Sequence, residues 1–250
     1  MKPLLTIAIA GDFQRGKSSF VNALLGRNAS EMGRGRSTTH SNSVYELSPS
    51  VSIIDTPGFN ANNEDNGTAA SAIDKANVVV YIHESKQLGE TGAGIFNLVR
   101  EQGKRLIFLL NCMNSEKWAP DENKDIVKVI EAELENKGVK SSLLPINGCK
   151  VTPVNILWAR YGLGLLDEAS KEDSVNIRKI CRYAKDDLEI SASGEQLCDE
   201  ILNRSGCCPV FDFLKNFTLW YFKNEVSDSK LIMDRILNRF KAEFEKNWKL

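Results

Sequence analysis

Residues 11–18, GDFQRGKS, combine the residue types that a loop needs to wrap around a chain of phosphates. They fit the pattern Gly-x-x-x-x-Gly-Lys-Ser/Thr, which forms a phosphate-binding loop between a strand and a helix. Gly11 and Gly16 let the backbone approach the phosphates so that amide groups point inward. Lys17 would reach the outer phosphates, and Ser18 would offer its hydroxyl to Mg²⁺. The pattern therefore predicts a magnesium-dependent nucleotide site.

The segments on either side of this loop predict the two elements that it requires. Residues 4–10, LLTIAIA, form a continuous apolar run of strand length. Residues 18–26, SSFVNALLG, carry apolar side chains at helical spacing and end on a glycine. The alternative, a glycine turn with an incidental lysine, does not explain this placement.

A second motif, DTPG at residues 55–58, follows another short apolar segment. Asp55 at the end of a strand could hold a magnesium-bound water, and the amide of Gly58 could contact a third phosphate. The same four residues are common in ordinary turns, so the motif gains its weight from the phosphate-binding loop upstream.

Threonines lie between these two motifs, in RSTTHS at residues 36–41. Thr39, with Thr38 as second choice, could ligate magnesium when the third phosphate is present. The alternative is a solvated loop rich in serine and threonine.

Apolar runs and helical patterns alternate along the first 150 residues. Strand candidates are residues 4–10, 43–47, 51–55, 77–82, 105–111 and 142–147, and helix candidates are 18–26, 94–103 and 126–138. This alternation predicts an α/β fold with a doubly wound, mainly parallel sheet.

The pattern changes after Lys150. We expect a charged helical insertion at residues 151–203, without a strand, and an apolar helix at 210–222 that begins after Pro209. Residues 225–250 carry apolar side chains on one helical face. We expect one domain over residues 1–224 and a C-terminal amphipathic helix beyond it.

Composition excludes several classes of protein. With 32 basic and 33 acidic residues the net charge is −1, which gives no electrostatic case for nucleic acid or an anionic membrane surface. We therefore expect no nucleic-acid partner. The six cysteines are scattered without metal-ligand spacing, as in a cytoplasmic protein with reduced thiols. No apolar run approaches the length of a membrane span.

The order of phosphate loop, threonine loop and DTPG resembles that of the translation-factor-related GTPases. More narrowly, G-x-F-x-R-G-K-S-S-x-x-N-A-L-L-G at residues 11–26 and the later VVVYIHESKQLGETGAGIF resemble the bacterial dynamin-like and mitofusin-like proteins. The likeness covers residues 4–111 well and 203–217 more loosely. It implies a Mg²⁺-dependent domain that binds GTP and GDP, has low basal activity and is stimulated by self-association. It also implies a homodimer through the nucleotide face and membrane contact only through a stalk that this chain lacks.

The motifs and the resemblance together assign a set of site residues. The predicted nucleotide-binding residues are Gly11, Gln14, Arg15, Gly16, Lys17, Ser18, Ser19, Asp55, Gly58, Asn111, Asn114, Asn147 and Gly148. Lys17, Thr39, Gln14 and Arg15 are the predicted catalytic residues. Magnesium is expected on Ser18 and Thr39, and on Asp55 through a water.

The chain departs from the family pattern where guanine is normally read, at Asn-Lys-x-Asp. Here Asn111 is followed by Cys112 in place of the lysine, and Asn114 replaces the aspartate. An amide offers one acceptor and one donor where a carboxylate only accepts, so the charge-assisted bonds to guanine are lost. We expect a weakened or relaxed guanine preference. Lys150 or a main-chain amide of the loop Asn147–Lys150 could compensate.

A second departure concerns the catalytic water, because DTPG is followed by Phe59 and not by glutamine. Gln14 could order the water, and Arg15 could place charge on the phosphates as an arginine finger does. The alternative for Arg15 is a surface arginine that faces solvent or a dimer contact.

Two other classes of function compete with a dynamin-like hydrolase. A degenerate switch module would bind nucleotide and act through a partner with little or no turnover, which the altered base motif favours. A small ribosome-associated GTPase is disfavoured by the helical segment after residue 150 and by the lack of a basic domain.

Overall fold

The predicted doubly wound sheet is present and has six strands. The computed structural model describes residues 5–12, 14–30, 42–48, 50–58, 63–84, 87–88, 90–112, 120–225, 238 and 242. The strands are β1 Leu5–Gly11, β2 Ser43–Ser48, β3 Val51–Asp55, β4 Val78–His83, β5 Arg105–Asn111 and β6 Val151–Val154. The helices are α1 Lys17–Leu25, α2 Asn63–Lys75, α3 Glu90–Glu101, α4 Lys124–Asn136, α5 Ile156–Gly162, α6 Lys171–Asp186, α7 Glu195–Arg204 and α8 Cys207–Glu225.

The strand order β2-β3-β1-β4-β5-β6 puts β1 inside the sheet. All neighbours pair in parallel except β2, which runs antiparallel to β3. The five parallel strands therefore end at one edge of the sheet, which we call the carboxyl edge. Gly11, Asp55, His83, Asn111 and Val154 are the last residues of these strands. Ligands of open α/β sheets bind outside this edge.

Both faces of the sheet are buried, as the continuous apolar strands predict. On one face, Ile7 and Ile9 pack in a cluster that includes residues of α1, α5 and α8. On the other face, Ala8 and Ala10 pack with residues of α2, α3 and α4. The predicted α/β fold with a doubly wound, mainly parallel sheet is confirmed.

The predicted sixth strand at residues 142–147 is wrong. Leu143 makes an isolated bridge to Leu106, and Ile146 bridges back to Cys149 around a tight turn. In that turn Asn147 and Gly148 both have positive φ, 49° and 84°, which is the backbone of a two-residue hairpin loop. The sixth strand is instead β6, which contains Pro153 and lies at the sheet edge, where proline is tolerated.

Residues 151–203, expected to be helical without a strand, contain helices α5 and α6 and most of α7, but Val151–Val154 form strand β6. Helices α5, α6 and α7 enclose a small apolar cluster of their own, whose buried members include Trp158, Ile180 and Ile201. The domain boundaries stay a prediction. Of residues 226–250, only positions 238 and 242 lie within the described part of the chain.

Helix α2 begins at Asn63, a few residues after the DTPG motif. The apolar helix predicted at 210–222 is longer, and Pro209 lies in the first turn of α8. Among the helices of the described residues, none is both long and apolar enough to cross a bilayer.

Substitution of Gly162 tests the packing of α5 on α7. A Cβ at Gly162 would lie 2.5 Å from Leu202 Cβ and 2.7 Å from the carbonyl oxygen of Cys198. We expect Gly162→Ala to lower the free energy of unfolding by about 1–3 kcal/mol, because the helices must separate. Chemical denaturation measures this.

The matched control is Gly67→Ala, in helix α2, where an added Cβ meets nothing within 4 Å. Alanine there should be neutral or stabilising by about 0.5–1 kcal/mol. Equal stability of the two variants would contradict the close contact between α5 and α7.

Candidate nucleotide-binding site

The backbone between β1 and α1 has the conformation that a glycine loop permits. Gly11 has φ 148° and Gly16 has φ 92°. A Cβ on Gly11 would lie 2.3 Å from the carbonyl oxygen of Ile82, and one on Gly16 would lie 3.0 Å from Asn111 Nδ2. Gln14 also has a positive φ of 58°, which is uncommon for a residue other than glycine or asparagine. The chain thus curls at the carboxyl edge of the sheet, immediately before the N-terminus of α1.

Lys17 is buried at the base of this loop, and its Nζ donates a hydrogen bond to the carbonyl of Asp12 at 2.7 Å. Burial lowers the pKa of Lys17 to about 8, against the opposing charges of Asp55 and Asp12. An ammonium that has lost its water in this way gains strongly from a nearby anion. Lys17 is therefore placed to hold phosphate.

Asp55 is fully buried at the end of β3. Its Oδ2 accepts hydrogen bonds from the hydroxyls of Ser18 at 2.8 Å and Ser30 at 2.7 Å. Its Oδ1 is buried and has no hydrogen-bond partner among the described residues. Burial raises the pKa of Asp55, while the two serine hydroxyls and Lys17 act in the opposite direction.

A magnesium ion fits this arrangement. Mg²⁺ is usually held by one or two carboxylates, together with substrate phosphates and several waters. Asp55 offers such a carboxylate. Its Oδ1 has no partner among the described residues, and its Oδ2 is bonded to the Ser18 hydroxyl. Within the described residues no group of three or more His, Cys, Asp and Glu side chains could hold a metal. A cation here would depend on phosphate, hydroxyl and water oxygens.

Asn111 links the loop to the far side of the site. Its Nδ2 donates to the carbonyl of Arg15, and its Oδ1 accepts from the amide of Ile156, both at 3.3 Å. Asn155 is the N-cap of α5, and its side chain accepts a hydrogen bond from the amide of Trp158 at 3.1 Å. The segment after β6 thus lies beside the phosphate loop. Sequence reasoning missed it, although an asparagine that caps a helix after a short apolar run was a usable signal.

The side chain of Cys112, the residue that replaces the lysine of the guanine motif, points into the core. Its side chain is buried in the core cluster that contains Ala8 and Ala10, and its thiol donates to the carbonyl of Leu110 at 3.5 Å. Burial raises the pKa of this thiol to about 12. The side chain is therefore a core residue.

The predicted role of Asn147 and Gly148 in the site does not agree with the topology. Their loop leaves the sheet beside Leu106 and returns at Val151, opposite Phe108, so it precedes β6. The nucleotide loop follows β1, at the carboxyl edge. The segment that β6 delivers to that edge begins at Asn155, and the earlier assignment resulted from the misplaced sixth strand.

Arg15 pairs with a carboxylate of its own chain. Its Nη1 lies 3.2 Å from Glu84 Oε2; the side chains of Arg15 and Glu84 are 37% and 2% exposed. Burial raises the pKa of Glu84, and the charge of Arg15 opposes this. This ion pair disagrees with the alternative that Arg15 is a surface arginine facing only solvent. Glu84 was not predicted, although it directly follows buried strand β4.

The structure therefore gathers most of the predicted residues at one edge. Gly11, Gln14, Arg15, Gly16, Lys17, Ser18, Ser19, Asp55, Gly58 and Asn111 all lie at the carboxyl ends of β1, β3 and β5 or in the first turn of α1. The backbone of Thr56 is held to β1 because its hydroxyl donates to the carbonyl of Ile9 at 2.8 Å. Thr38, Thr39, Phe59 and Asn114 lie outside the described residues.

Comparison with known proteins supports the class of fold. Residues 6–112, fewer than half of the chain, match the family model described as 50S ribosome-binding GTPase. Over this segment the chain resembles the P-loop GTPases, which agrees with the sheet and the glycine loop. No curated protein matches the sequence. The narrower resemblance to dynamin-like proteins stays a prediction.

Several solved structures are similar. Era from Aquifex aeolicus, a point variant bound to GDP·AlF₄⁻, is 19% identical with TM-score 0.47, and the match covers 71% of this chain and 56% of that one. Era in complex with MgGDPNP and nucleotides 1506–1542 of 16S ribosomal RNA is 18% identical with TM-score 0.47, covering 73% and 57%. A bacterial selenocysteine-specific elongation factor, EF-Sec, is 17% identical with TM-score 0.48, covering 71% and 28%. The chain spans less than two thirds of each.

The expectation that nucleic acid is no partner is contradicted. The family model that matches residues 6–112 is described as ribosome-binding. The expectation rested on a net charge near zero, which averages over the whole surface and says nothing about a local patch.

The bridge made by Asn111 can be tested by Asn111→Asp. The variant keeps an oxygen for the amide of Ile156 but replaces the donor to the carbonyl of Arg15 with a buried negative oxygen. We expect the free energy of unfolding to fall by about 1–3 kcal/mol, measured by denaturant titration.

Asn97→Asp is the matched control, because Asn97 is a surface residue whose Oδ1 already accepts a hydrogen bond from Arg100 at 3.1 Å. This variant should leave stability nearly unchanged. If the two substitutions had the same effect, Asn111 would not hold the loop to α5.

Proposed function

We propose that the chain is a magnesium-dependent hydrolase of GTP. The observation that carries this proposal is the meeting of Lys17, Ser18 and Asp55 at the open end of a backbone loop that only glycines permit. Within the part of the chain that the structure describes, each of these side chains retains bonding capacity that a phosphate with its cation would satisfy. The family match over residues 6–112 supports guanine as the base.

The loop would bind the phosphate chain through its backbone amides and the N-terminus of α1, where the helix dipole favours negative charge. Lys17 would exchange the Asp12 carbonyl for the oxygens of the outer phosphates. Ser18 would ligate the cation, Asp55 would hold one of its waters, and Thr39 is the proposed third contact. Bound magnesium neutralises charge that develops on the transferred phosphate.

Arg15 and Gln14 are the proposed catalytic side chains of the loop. Arg15 reaches the site edge while Glu84 holds one of its terminal nitrogens. Five donors on a guanidinium leave others for phosphate oxygens. Gln14 is exposed and lies in the loop itself, so it is our candidate for ordering the attacking water.

The finer part of the proposal concerns activation by self-association, as the resemblance to dynamin-like proteins implies. Turnover by each chain would then rise with protein concentration. The competing switch module would bind nucleotide with little or no turnover. Asn114, in place of the aspartate that normally reads guanine, is the observation that favours this second function.

Lys17→Ala tests the phosphate site. Loss of the buried ammonium should abolish detectable binding of GTP and GDP, because no other described lysine lies in the loop. Isothermal titration calorimetry in Mg²⁺ measures this, and phosphate release from GTP gives the activity of the wild type.

Lys104→Ala is the matched control. The ammonium of Lys104 also donates to backbone carbonyls, those of Asp74 at 2.7 Å and Ala76 at 2.9 Å, but beside the amino end of β5. It should bind nucleotide normally. Normal binding by Lys17→Ala would place the nucleotide elsewhere.

Arg15→Ala tests the catalytic role of the loop arginine. We expect phosphate release at saturating GTP to fall about 100-fold with little change in affinity, because charge in the transition state loses its partner. Arg182→Ala, at an exposed position of α6, is the surface control.

Because Arg15 is paired with Glu84 of its own chain, we expect it to act on its own nucleotide. Addition of the Lys17→Ala chain, which carries Arg15 but binds no nucleotide, should not restore turnover to Arg15→Ala. Restoration would show that Arg15 acts across a dimer, and an unchanged rate in Arg15→Ala would remove it from catalysis.

A further inference from the structure

Ser30 belongs to none of the recognised motifs, yet its hydroxyl reaches the buried carboxylate of the site. It donates to Asp55 Oδ2 at 2.7 Å, the same oxygen to which Ser18 donates at 2.8 Å. Ser30 is itself buried, five positions after the end of α1. This hydroxyl can keep its position only if the backbone of Ser30 is itself held in place.

Asn22 is the residue that fixes Ser30. The Asn22 side chain is fully buried in α1. Its Oδ1 accepts from the amides of Ala29 at 2.9 Å and Ser30 at 2.6 Å, and its Nδ2 donates to the carbonyl of Ser30 at 2.9 Å. The Asn22 side-chain amide thus makes three hydrogen bonds to the backbone of Ala29 and Ser30.

The other residues between α1 and Ser30 are held by hydrogen bonds to α1 itself and to the segment that follows α5. Helix α1 ends at Gly26, in the left-handed conformation, and the amide of Arg27 donates to the carbonyl of Asn22 at 3.2 Å. Asn28 Nδ2 donates to the carbonyl of Leu165 at 2.9 Å. The position of the Ser30 hydroxyl is therefore set by α1, the helix that also carries Lys17 and Ser18.

The two serines that share Asp55 Oδ2 are chemically different. A hydroxyl has one hydrogen to donate and two lone pairs to accept with. In the proposed function the Ser18 oxygen ligates magnesium, so the cation fixes the position of that oxygen. The Ser30 hydroxyl remains a donor that serves the carboxylate alone. The two hydrogen bonds to Oδ2 restrain rotation of the carboxyl group, and so they favour one direction for Oδ1, which has no partner among the described residues.

We propose that Ser30 is a positioning residue of the magnesium site, which holds Asp55 Oδ2 so that Oδ1 is free for the hydration shell of the cation. The proposal rests on the proposed function. Groups that orient a metal-binding carboxylate typically change metal affinity by about 10–100-fold when they are lost. A hydroxyl that only stabilised the fold would affect nucleotide binding equally with and without magnesium.

The test measures GDP binding by the full chain over a series of MgCl₂ concentrations and in EDTA. We compare the wild type with Ser30→Ala and with Ser30→Cys, which keeps the volume but replaces a strong donor with a weak one. We expect both variants to bind GDP like the wild type in EDTA. The MgCl₂ concentration that gives half of the gain in affinity should rise about tenfold or more.

Ser52→Ala is the matched control, because Ser52 is a buried β3 serine whose hydroxyl lies 3.3 Å from that of Thr6, away from the carboxyl edge. It should leave the magnesium dependence unchanged. A wild-type magnesium dependence in both Ser30 variants would overturn the proposal, as would an equal loss of GDP affinity in EDTA and in magnesium. A wild type that binds no GDP at all would refute the proposed function, and this inference with it.

Discussion

Burial of two opposite charges at the carboxyl edge of the sheet is the constraint on which the site depends. Lys17 and Asp55 are both removed from water, which costs several kcal/mol for an ion that is not fully compensated. Among the described residues, their compensation is incomplete. The ammonium has a backbone carbonyl, and one oxygen of the carboxylate has two hydroxyls while the other has no partner among the described residues. A phosphate chain with its cation would complete both shells.

The fold supplies the rigidity that keeps these charges apart from solvent. Strand β1 ends at Gly11 beside β3 and β4, so the loop and Asp55 are joined through paired strands. Asn111 connects the loop to α5, and Asn22 connects α1 to the segment that carries Ser30. The Asn111 amide satisfies backbone groups on two segments, and the Asn22 amide satisfies three backbone groups of one segment. The site is thus assembled by polar contacts that lie just above an apolar core.

Much of this could be predicted from sequence because the signals were local. The glycine pattern, the apolar run before it and Gly26 after it fixed the loop, α1 and its end. Strand β6 could not be found in the same way, because it has only four residues and SLLPIN nearby has a stronger apolar pattern. That error moved the predicted base loop to Asn147. Glu84 and Ser30 were missed because their roles depend on contacts 69 and 25 positions away along the chain.

In the function proposed above, this edge of the sheet binds a guanine nucleotide through Lys17 and magnesium. The decisive measurement is calorimetric titration of the full chain with GTP, GDP, ATP and XTP in MgCl₂. We expect GTP and GDP to bind. We also expect GTP to bind more tightly than ATP, by a smaller margin than an intact guanine motif would give, because Asn114 replaces the aspartate. Equal affinity for GTP and ATP would contradict the guanine assignment, and binding of none of the four would contradict the site itself.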